Sequence, residues 1–272
     1  MHRVEDPEDP LLADFVALND PAERRRVERA GGYFVVEGPI AIERMLGLPE
    51  WRVRGLALLP RVADRLAPLL DGSAIPVAVA SEDVLRQVVG FDIHRGALAS
   101  VDRRPPASVA DLIAPGGPQL LVAAEGVTDH ENIGSLYRNA AAFGCKGMVL
   151  GPGCSDPFYR KSVRVSQGFV LRVPTATMTT IDDLHEAGVA TVALAPSAEH
   201  HLADLDRRAL GDGPVAVLVG AEGPGLADAT LAAATHRAAI PMAAGVDSLN
   251  VATAAALALF HLQQVLLPTE ER

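Results

Sequence analysis

The chain has 272 residues, 49% of them hydrophobic, so it can bury a sizeable core as one large domain or two smaller ones. Its formal net charge of -10 argues against a protein that binds nucleic acid by bulk electrostatics, because neutralising phosphates requires clustered Lys and Arg. Its two cysteines, Cys145 and Cys154, are too few for a disulfide scaffold or a four-cysteine metal site, so we expect a reducing compartment and no metal.

The first hundred residues alternate strand-like and helix-like segments after an acidic leader. The start, "MHRVEDPEDP", lacks the basic and apolar parts of a signal peptide, and no apolar segment is long enough to span a bilayer, so we expect a soluble cytoplasmic protein without a membrane partner. Strand-like "GYFVVEG", "VRGLALLP" and "IPVAVA" alternate with helix-like "PIAIERMLGL", "RVADRLAPLL" and "SEDVLRQVV". We predict a small α/β domain over residues 1–104 and a linker rich in Pro and Gly over residues 105–118.

Residues 119–272 have the pattern of a second α/β domain. Continuous apolar runs of strand length recur in "QLLVAAEG", "GMVLGPG", "TVALAP", "PVAVLVGAEG" and "RAAIPMA". Runs without alternation are typical of strands buried on both faces, and the helical segments between them can supply the crossovers of a parallel sheet. Because ligands of such sheets bind beyond the carboxyl ends of the strands, the loops after these runs are the candidate site.

The segment "ENIGSLYRNAAAFG" follows the first of these strands and carries a single arginine, Arg138. Helical periodicity gathers an apolar set on one side, formed by Ile133, Leu136, Ala140 and Phe143. The same periodicity points Arg138 the opposite way, together with Glu131. Arg138 can therefore serve a site, or it can be a solvated surface residue paired with Glu131. Asn132, near the predicted helix start, can equally be an N-cap.

Two further segments join a strand to a helix through a polar loop. In "VLVGAEGPGLADATL" a glycine-rich turn holds one carboxylate, Glu222; it has neither the Gly-Lys-Ser/Thr of a P-loop nor the G-x-G-x-x-G spacing, and an ordinary β-to-α turn remains possible. In "AAIPMAAGVDSLNVATAAALALF" Ser248 and Asn250 stand where a long helix rich in small residues begins, and capping alone can explain both.

Two basic segments interrupt the acidic chain and are the best candidates for contacting phosphate, although either can also be a solvated face. The first, "AERRRVERAGGY", contributes Arg24, Arg25, Arg26 and Arg29. The second, "GPGCSDPFYRKSVRVSQGFVLRVP", contributes Arg160, Lys161 and Arg164.

Taken in this order, the segments resemble the SpoU family, also called the TrmH family, of SPOUT RNA methyltransferases. The family's first motif, Asn-x-Gly-x-x-x-Arg, appears as Asn132, Gly134 and Arg138. Its second appears as "LVGAEGPGL" and its third as "IPMAAGVDSLNVATAAALALF", with "RKSVRVSQGFVLRVP" similar to its basic segment. The stretch "RRRVERAGGYFVVEGPIAIERML" looks like the opening of the substrate-binding domain of many such enzymes, whose fold is related to ribosomal protein L30e.

The resemblance implies an α/β protein with a parallel sheet and a deep trefoil knot in the C-terminal SPOUT domain, plus a smaller N-terminal L30e-like domain that binds RNA. It implies S-adenosylmethionine as the cofactor, bound in the knot, and a homodimer whose active site uses both subunits. The cofactor-binding positions would be Gly220, Ile240, Leu249, Ala195 and Pro241. The catalytic positions would be Arg138, Asn132, Ser248, Asn250 and Glu222.

The reaction implied by the resemblance is methylation of a ribose 2′-hydroxyl in 23S or other ribosomal RNA. Transfer RNA is an alternative substrate, and a non-catalytic RNA-binding or ribosome-assembly protein is an alternative of another class. The combined presence of the catalytic positions disfavours the latter. A Rossmann-type enzyme would need a glycine fingerprint after the first strand of its sheet, which "AAEGVTDHENIG" does not supply.

Overall fold

The computed structural model describes residues 1–19, 27–28, 30–93 and 95–267. The strands are β1 His2–Val4, β2 Tyr33–Glu37, β3 Val53–Leu58, β4 Val77–Ala80, β5 Ala97–Asp102, β6 Gln119–Ala124, β7 Gly147–Leu150, β8 Thr175–Thr177, β9 Ala190–Leu194, β10 His200–His201, β11 Pro214–Val219 and β12 His236–Ala239. The α-helices are α1 Pro39–Leu46, α2 Pro60–Leu70, α3 Glu82–Val89, α4 His130–Ala142, α5 Arg160–Val165, α6 Asp182–Glu186, α7 Arg207–Leu210, α8 Asp228–Ala233 and α9 Val251–Leu266.

The chain forms two compact units. The first comprises Met1–Pro105 together with Phe158–Arg172, and the second comprises Pro106–Pro157 and Val173–Arg272. None of the helices in the described ranges is long and apolar enough to cross a membrane.

The first unit is built on a mixed sheet with the order β1-β4-β3-β5-β2. Strand β5 runs antiparallel to both neighbours, and β1, β4 and β3 are parallel to one another. Residues that favour a helix start stand at the beginning of these helices. Pro39 and Pro60 occupy first-turn positions of α1 and α2, where a missing N–H leaves no helical hydrogen bond unmade. Ser81 caps α3, because its side chain accepts from the Val84 N–H at 3.3 Å. The strands and helices predicted for this half are present.

The segment Phe158–Arg172 packs with the first unit, although the sequence pattern predicted that it belongs to the second domain. The reason is aromatic packing: the Phe158 ring lies 4.8 Å from that of Phe34 and 5.5 Å from that of Trp51. The Trp51 indole N–H also donates to the Leu171 carbonyl at 2.8 Å. Burying an indole with its N–H paired stabilises this arrangement, and no local pattern reveals the partner.

The second unit is built on a parallel sheet with the order β10-β12-β9-β11-β6-β7-β8. Strands β6 and β7 are buried along their whole length and β11 in all but its first residue, in agreement with the continuous apolar runs, which confirms the predicted parallel α/β architecture. The carboxyl ends of β9, β11 and β12 lie at one edge of this sheet, where parallel α/β proteins place their ligands.

Residues 106–118, predicted as a linker, pack instead on the second unit. Ala107 forms a bridge with Ala176 of β8, and its N–H donates to the Thr175 carbonyl at 2.9 Å. Val109 and Leu112 are buried in the core of the unit. Burial of these two apolar side chains stabilises the segment more than its Pro and Gly content suggests.

Candidate functional site

The first motif segment forms α4 with its predicted orientation. Its N-cap is Asp129, whose carboxylate accepts from the Glu131 N–H at 2.8 Å, so the alternative of Asn132 as the cap is wrong. Asn132 lies in the first turn and is only 5% exposed. The apolar side of the helix is buried as predicted, and Arg138 is exposed on the opposite side.

One hydrogen-bonded chain joins all three motif segments. The Asn132 side-chain Nδ2 donates to Glu222 Oε1 at 2.6 Å, and the Asn250 Nδ2 donates to Asn132 Oδ1 at 2.8 Å. Asn132 is therefore engaged both as a donor and as an acceptor, and this pairing fixes the orientation of its amide. We call this set, Asn132, Glu222 and Asn250, the polar chain.

Asn250 also caps the C-terminal helix. Its Oδ1 accepts from the Ala252 N–H at 2.9 Å and the Thr253 N–H at 3.2 Å, which satisfies two free donors at the start of α9. The capping role and the polar chain thus use different atoms of one side chain. Ser248 is exposed in the preceding loop and is not the cap.

The second motif segment forms a tight turn between β11 and α8. Ala221 and Gly225 exchange backbone hydrogen bonds at 3.1 and 2.9 Å across it. A Cβ built on Gly220 would lie 2.1 Å from the Gly225 carbonyl carbon, far inside van der Waals contact. Only glycine fits at position 220, because the backbone of the turn folds directly against it.

The ends of the strands and the turn enclose a cavity of about 580 Å³, a size typical of small-molecule sites. Of the residues predicted to bind the cofactor, four line it: Gly220, Ile240, Leu249 and Ala195. Of those predicted to be catalytic, three line it: Glu222, Ser248 and Asn250. Pro241 is exposed and is not among the lining residues, although both of its neighbours are.

Sequence reasoning gave no role to several residues of the cavity wall. Leu194, Pro196, Met242 and Ala254 add apolar surface, and Asp247 adds a second carboxylate to the lining, besides that of Glu222. The position of Asp247 in a loop that follows a strand end was the one available signal for it. The apolar wall with few polar groups suits a flat organic ligand held mainly by shape.

Arg138 is not one of the residues that line the cavity. In the part of the chain that the structure describes, no hydrogen bond or ion pair joins Arg138 to another residue, so the alternative of a pairing with Glu131 is not observed. Its guanidinium is therefore available to a ligand outside this chain.

The basic residues predicted to contact RNA are only partly described. Arg24, Arg25, Arg26 and Arg29 lie outside the described residues. Arg160 lies 3.2 Å from the Glu37 carboxylate and its guanidinium stacks 4.2 Å from the centroid of Phe91, while Arg164 lies 3.9 Å from Glu37. Lys161 is half-buried on the same helix, α5.

Within the described residues, no three or more His, Cys, Asp or Glu side chains form a group that could hold a metal ion. The buried ionisable groups near α4 are held neutral. Burial raises the pKa of Tyr137 well above its usual value, against the opposing effect of its 2.6 Å hydrogen bond with Thr175 Oγ1. Burial likewise raises the pKa of the Cys145 thiol to about 12.

Residues 119–260 match the model of the SpoU rRNA Methylase family. The chain belongs to this family. A relative in Mycobacterium tuberculosis, named a tRNA/rRNA methyltransferase, is 42% identical over 263 residues, covering 94% of this chain and 89% of the relative. A 23S rRNA (guanosine-2′-O-)-methyltransferase of Ralstonia nicotianae is 32% identical over 197 residues, covering 70% of this chain and 78% of its own.

Among solved structures, an AdoMet-bound rRNA methyltransferase from Sinorhizobium meliloti is similar over 98% of both chains, with a TM-score of 0.81 and 26% identity. The likeness therefore extends through both units of this SpoU family member. The three motif segments that the sequence analysis identified all fall inside the matched family region.

Proposed function

We propose that this SpoU family RNA methyltransferase transfers a methyl group from S-adenosylmethionine to a ribose 2′-hydroxyl of 23S or other ribosomal RNA. The observation that carries the proposal is the polar chain at the wall of the cavity. It places an amide, a carboxylate and a helix cap from three distant segments beside one ligand-sized space. The name of the Ralstonia relative, a 23S rRNA (guanosine-2′-O-)-methyltransferase, supports a ribose 2′-hydroxyl of ribosomal RNA as the methyl acceptor.

The cavity fits S-adenosylmethionine on its own features. Its volume is adequate, and its wall combines apolar side chains such as Ile240 and Leu249 with the bare backbone at Gly220. Gly220, Ile240, Leu249 and Ala195 would hold the cofactor, with Pro241 nearby. The bound cofactor supplies an electrophilic methyl group on a sulfonium.

Arg138 does not line the cofactor cavity, and we assign it to the substrate. A guanidinium stays protonated at ordinary pH, so it is poorly suited to remove the hydroxyl proton. It is well suited to grip a phosphate with two parallel hydrogen bonds and to stabilise negative charge developing on the ribose oxygen. Its exposure and its lack of an ion-pair partner in the described chain support this role.

The polar chain keeps the site in place. Glu222 and Asn250 line the cavity, and Asn132 joins them through hydrogen bonds of 2.6 and 2.8 Å. Because Asn132 and Arg138 both lie on α4, the polar chain also connects α4 to the glycine-rich turn and to α9. Ser248 is exposed in the cavity wall and would orient a polar group of the substrate.

The distribution of charge supports RNA binding by one unit of an otherwise acidic chain. The first unit holds 18 of the 24 Lys and Arg and 17 of the 34 Asp and Glu, a net charge of +1. The second unit holds the remaining 6 and 17, a net charge of -11. The segment Phe158–Arg172 carries four basic residues and no acidic one. We therefore assign RNA backbone binding to the first unit, with Arg160, Lys161 and Arg164 contributing.

Finer features of the family extend the proposal. The first unit would be an L30e-like RNA-binding domain, and the second would carry a deep trefoil knot around the cofactor. The protein would act as a homodimer in which each Arg138 serves a site completed by the other copy. The position of Arg138 outside the cavity wall supports a site of this kind.

Variants of Arg138 test the proposal. Arg138→Ala is expected to bind S-adenosylhomocysteine as tightly as the wild type but to lose methyl transfer to RNA by about 100-fold or more, because removing one stabilising donor costs that much in comparable sites. Arg138→Lys keeps the charge without the bidentate fork and should fall between the two. Full transfer activity in Arg138→Ala would contradict the assigned role.

A further inference from the structure

A carboxylate outside the polar chain holds the glycine-rich turn from its other end. Glu125 directly follows β6, and its N–H donates to the carbonyl of Val219, the last residue of β11, at 3.0 Å. Its side chain then reaches the start of α8. Oε1 accepts from the Ala227 N–H at 3.2 Å, and Oε2 accepts from the Thr230 hydroxyl at 2.6 Å.

The glycine-rich turn leads into a helix, α8, that has no side-chain cap of its own. Ala227, the N-cap of α8, makes no side-chain capping hydrogen bond, because an alanine side chain has no acceptor. The carboxylate that satisfies the Ala227 N–H comes from 102 positions earlier in the chain. Glu125 therefore fixes the far end of the turn, while β11 fixes the near end.

The backbone after Glu125 runs close to the glycine-rich turn. A Cβ built on Gly126 would lie 3.1 Å from the Ala221 Cβ, so little room is left between this backbone and the turn. The Gly126 N–H also donates to the Pro152 carbonyl at 2.9 Å, which holds this backbone from the other side. Ala221 precedes Glu222, the turn's member of the polar chain.

We propose that Glu125 is a positioning residue that sets the shape of the cofactor cavity by clamping Ala227 and Thr230; this rests on the proposed function of the cavity. Glu125 is not among the residues that line the cavity, so it acts through the turn and not on the cofactor. The clamp also links the loop that leads into α4, the helix of Asn132, to the turn that carries Glu222, since Glu125 begins that loop and bonds to the residues after the turn.

The test is the dissociation constant of S-adenosylhomocysteine, measured by titration calorimetry on protein whose folding is verified by circular dichroism. Glu125→Ala removes both hydrogen bonds and should weaken binding about tenfold; Thr230→Val removes one and should weaken it about threefold. Glu125→Gln should bind nearly as the wild type, because its amide can accept from Ala227 and donate to the Thr230 hydroxyl. Glu186→Ala, an exposed acidic residue of α6, is the control and should bind unchanged.

The outcomes separate this inference from the proposed function. Wild-type affinity in folded Glu125→Ala overturns the positioning role, even if its melting temperature falls. Equal losses in Glu125→Gln and Glu125→Ala also overturn it, because hydrogen bonding would then not be the cause. If Glu125→Ala fails to fold, unchanged binding by Thr230→Val overturns it. Absence of binding by the wild type defeats the proposed cofactor as well.

Discussion

Replacing Asn132 with alanine removes the centre of the polar chain. The lost bond to the Glu222 carboxylate contributes about 1.5–3 kcal/mol and the lost bond to Asn250 about 0.5–1.5 kcal/mol in typical sites. Both partners are exposed, so water can take up part of the lost bonding, whereas Asn132 itself is 5% exposed. We therefore expect the free energy of unfolding to fall by about 2 kcal/mol.

The expected effect on cofactor affinity distinguishes Asn132 from an asparagine outside the polar chain. Asn139 lies on the same helix and donates one hydrogen bond, to the Ala252 carbonyl at 2.8 Å, outside the polar chain. Asn139→Ala should lower the free energy of unfolding by about 1 kcal/mol without changing S-adenosylhomocysteine affinity. Asn132→Ala should weaken that affinity and lower methyl transfer.

Denaturant unfolding and calorimetric titration of both variants give the two quantities. The double variant Asn132→Ala/Glu222→Ala should show coupling, since each single variant removes the same bond between the two side chains, and the combined loss should be smaller than the sum of the single losses. Equal effects of Asn132→Ala and Asn139→Ala on cofactor affinity would refute the argument that the polar chain shapes the site.

Three more predictions concern the second unit. Gly220→Ala should abolish cofactor binding and lower stability, because its Cβ would lie 2.1 Å from backbone. Gly213→Ala is the control and should leave binding unchanged, because its Cβ would meet nothing closer than 4.0 Å. Calorimetric titration of both variants measures the difference in cofactor affinity. Tyr137→Phe should destabilise the fold by about 1–2 kcal/mol in urea titration, because it leaves the Thr175 hydroxyl without its 2.6 Å partner. Burial raises the pKa of Cys145 from 9.0 to about 12, so the folded protein binds this proton more tightly. The stabilisation that results is complete below pH 9 and is lost progressively as the pH rises from 9 towards 12. Cys145→Ala should flatten this alkaline decline in the free energy of unfolding, and an unchanged slope would contradict the prediction.

The sequence predicted regular elements best where the apolar pattern was long. The runs that became β6, β11 and α4 carry enough periodicity or continuity to be identified locally. The two-residue strand β10 and the three-residue strands β1 and β8 have no such pattern, since an element this short forms only because a neighbouring strand supplies its hydrogen bonds.

For the site, motif resemblance identified residues that the fold then brings together. Gly220, Leu249 and Ala195 are far apart in sequence but share one cavity. The bond between Asn132 and Asn250 spans 118 positions, and the clamp by Glu125 spans 102. Pairing of polar side chains over such distances leaves no periodic trace in a single sequence, which is why the clamp was missed.

The position of segment 158–172 was unpredictable for a related reason. Its basic residues and the strand-like pattern that follows it resemble the rest of the second domain, but Phe158 packs among aromatic rings of the first unit. The location is decided by Phe158 and two aromatic residues more than a hundred positions before it, Phe34 and Trp51, and their complementarity is a property of the fold.

Analysis of the methylated product tests the central claim most directly. Wild-type protein is incubated with radiolabelled S-adenosylmethionine and ribosomal RNA that lacks native modifications, and the RNA is then hydrolysed in alkali. Strand cleavage in alkali needs a free 2′-hydroxyl, so the account predicts that the label appears in an alkali-resistant dinucleotide and that Arg138→Ala gives none. Label recovered in mononucleotides would show methylation of a base and would contradict the proposed reaction.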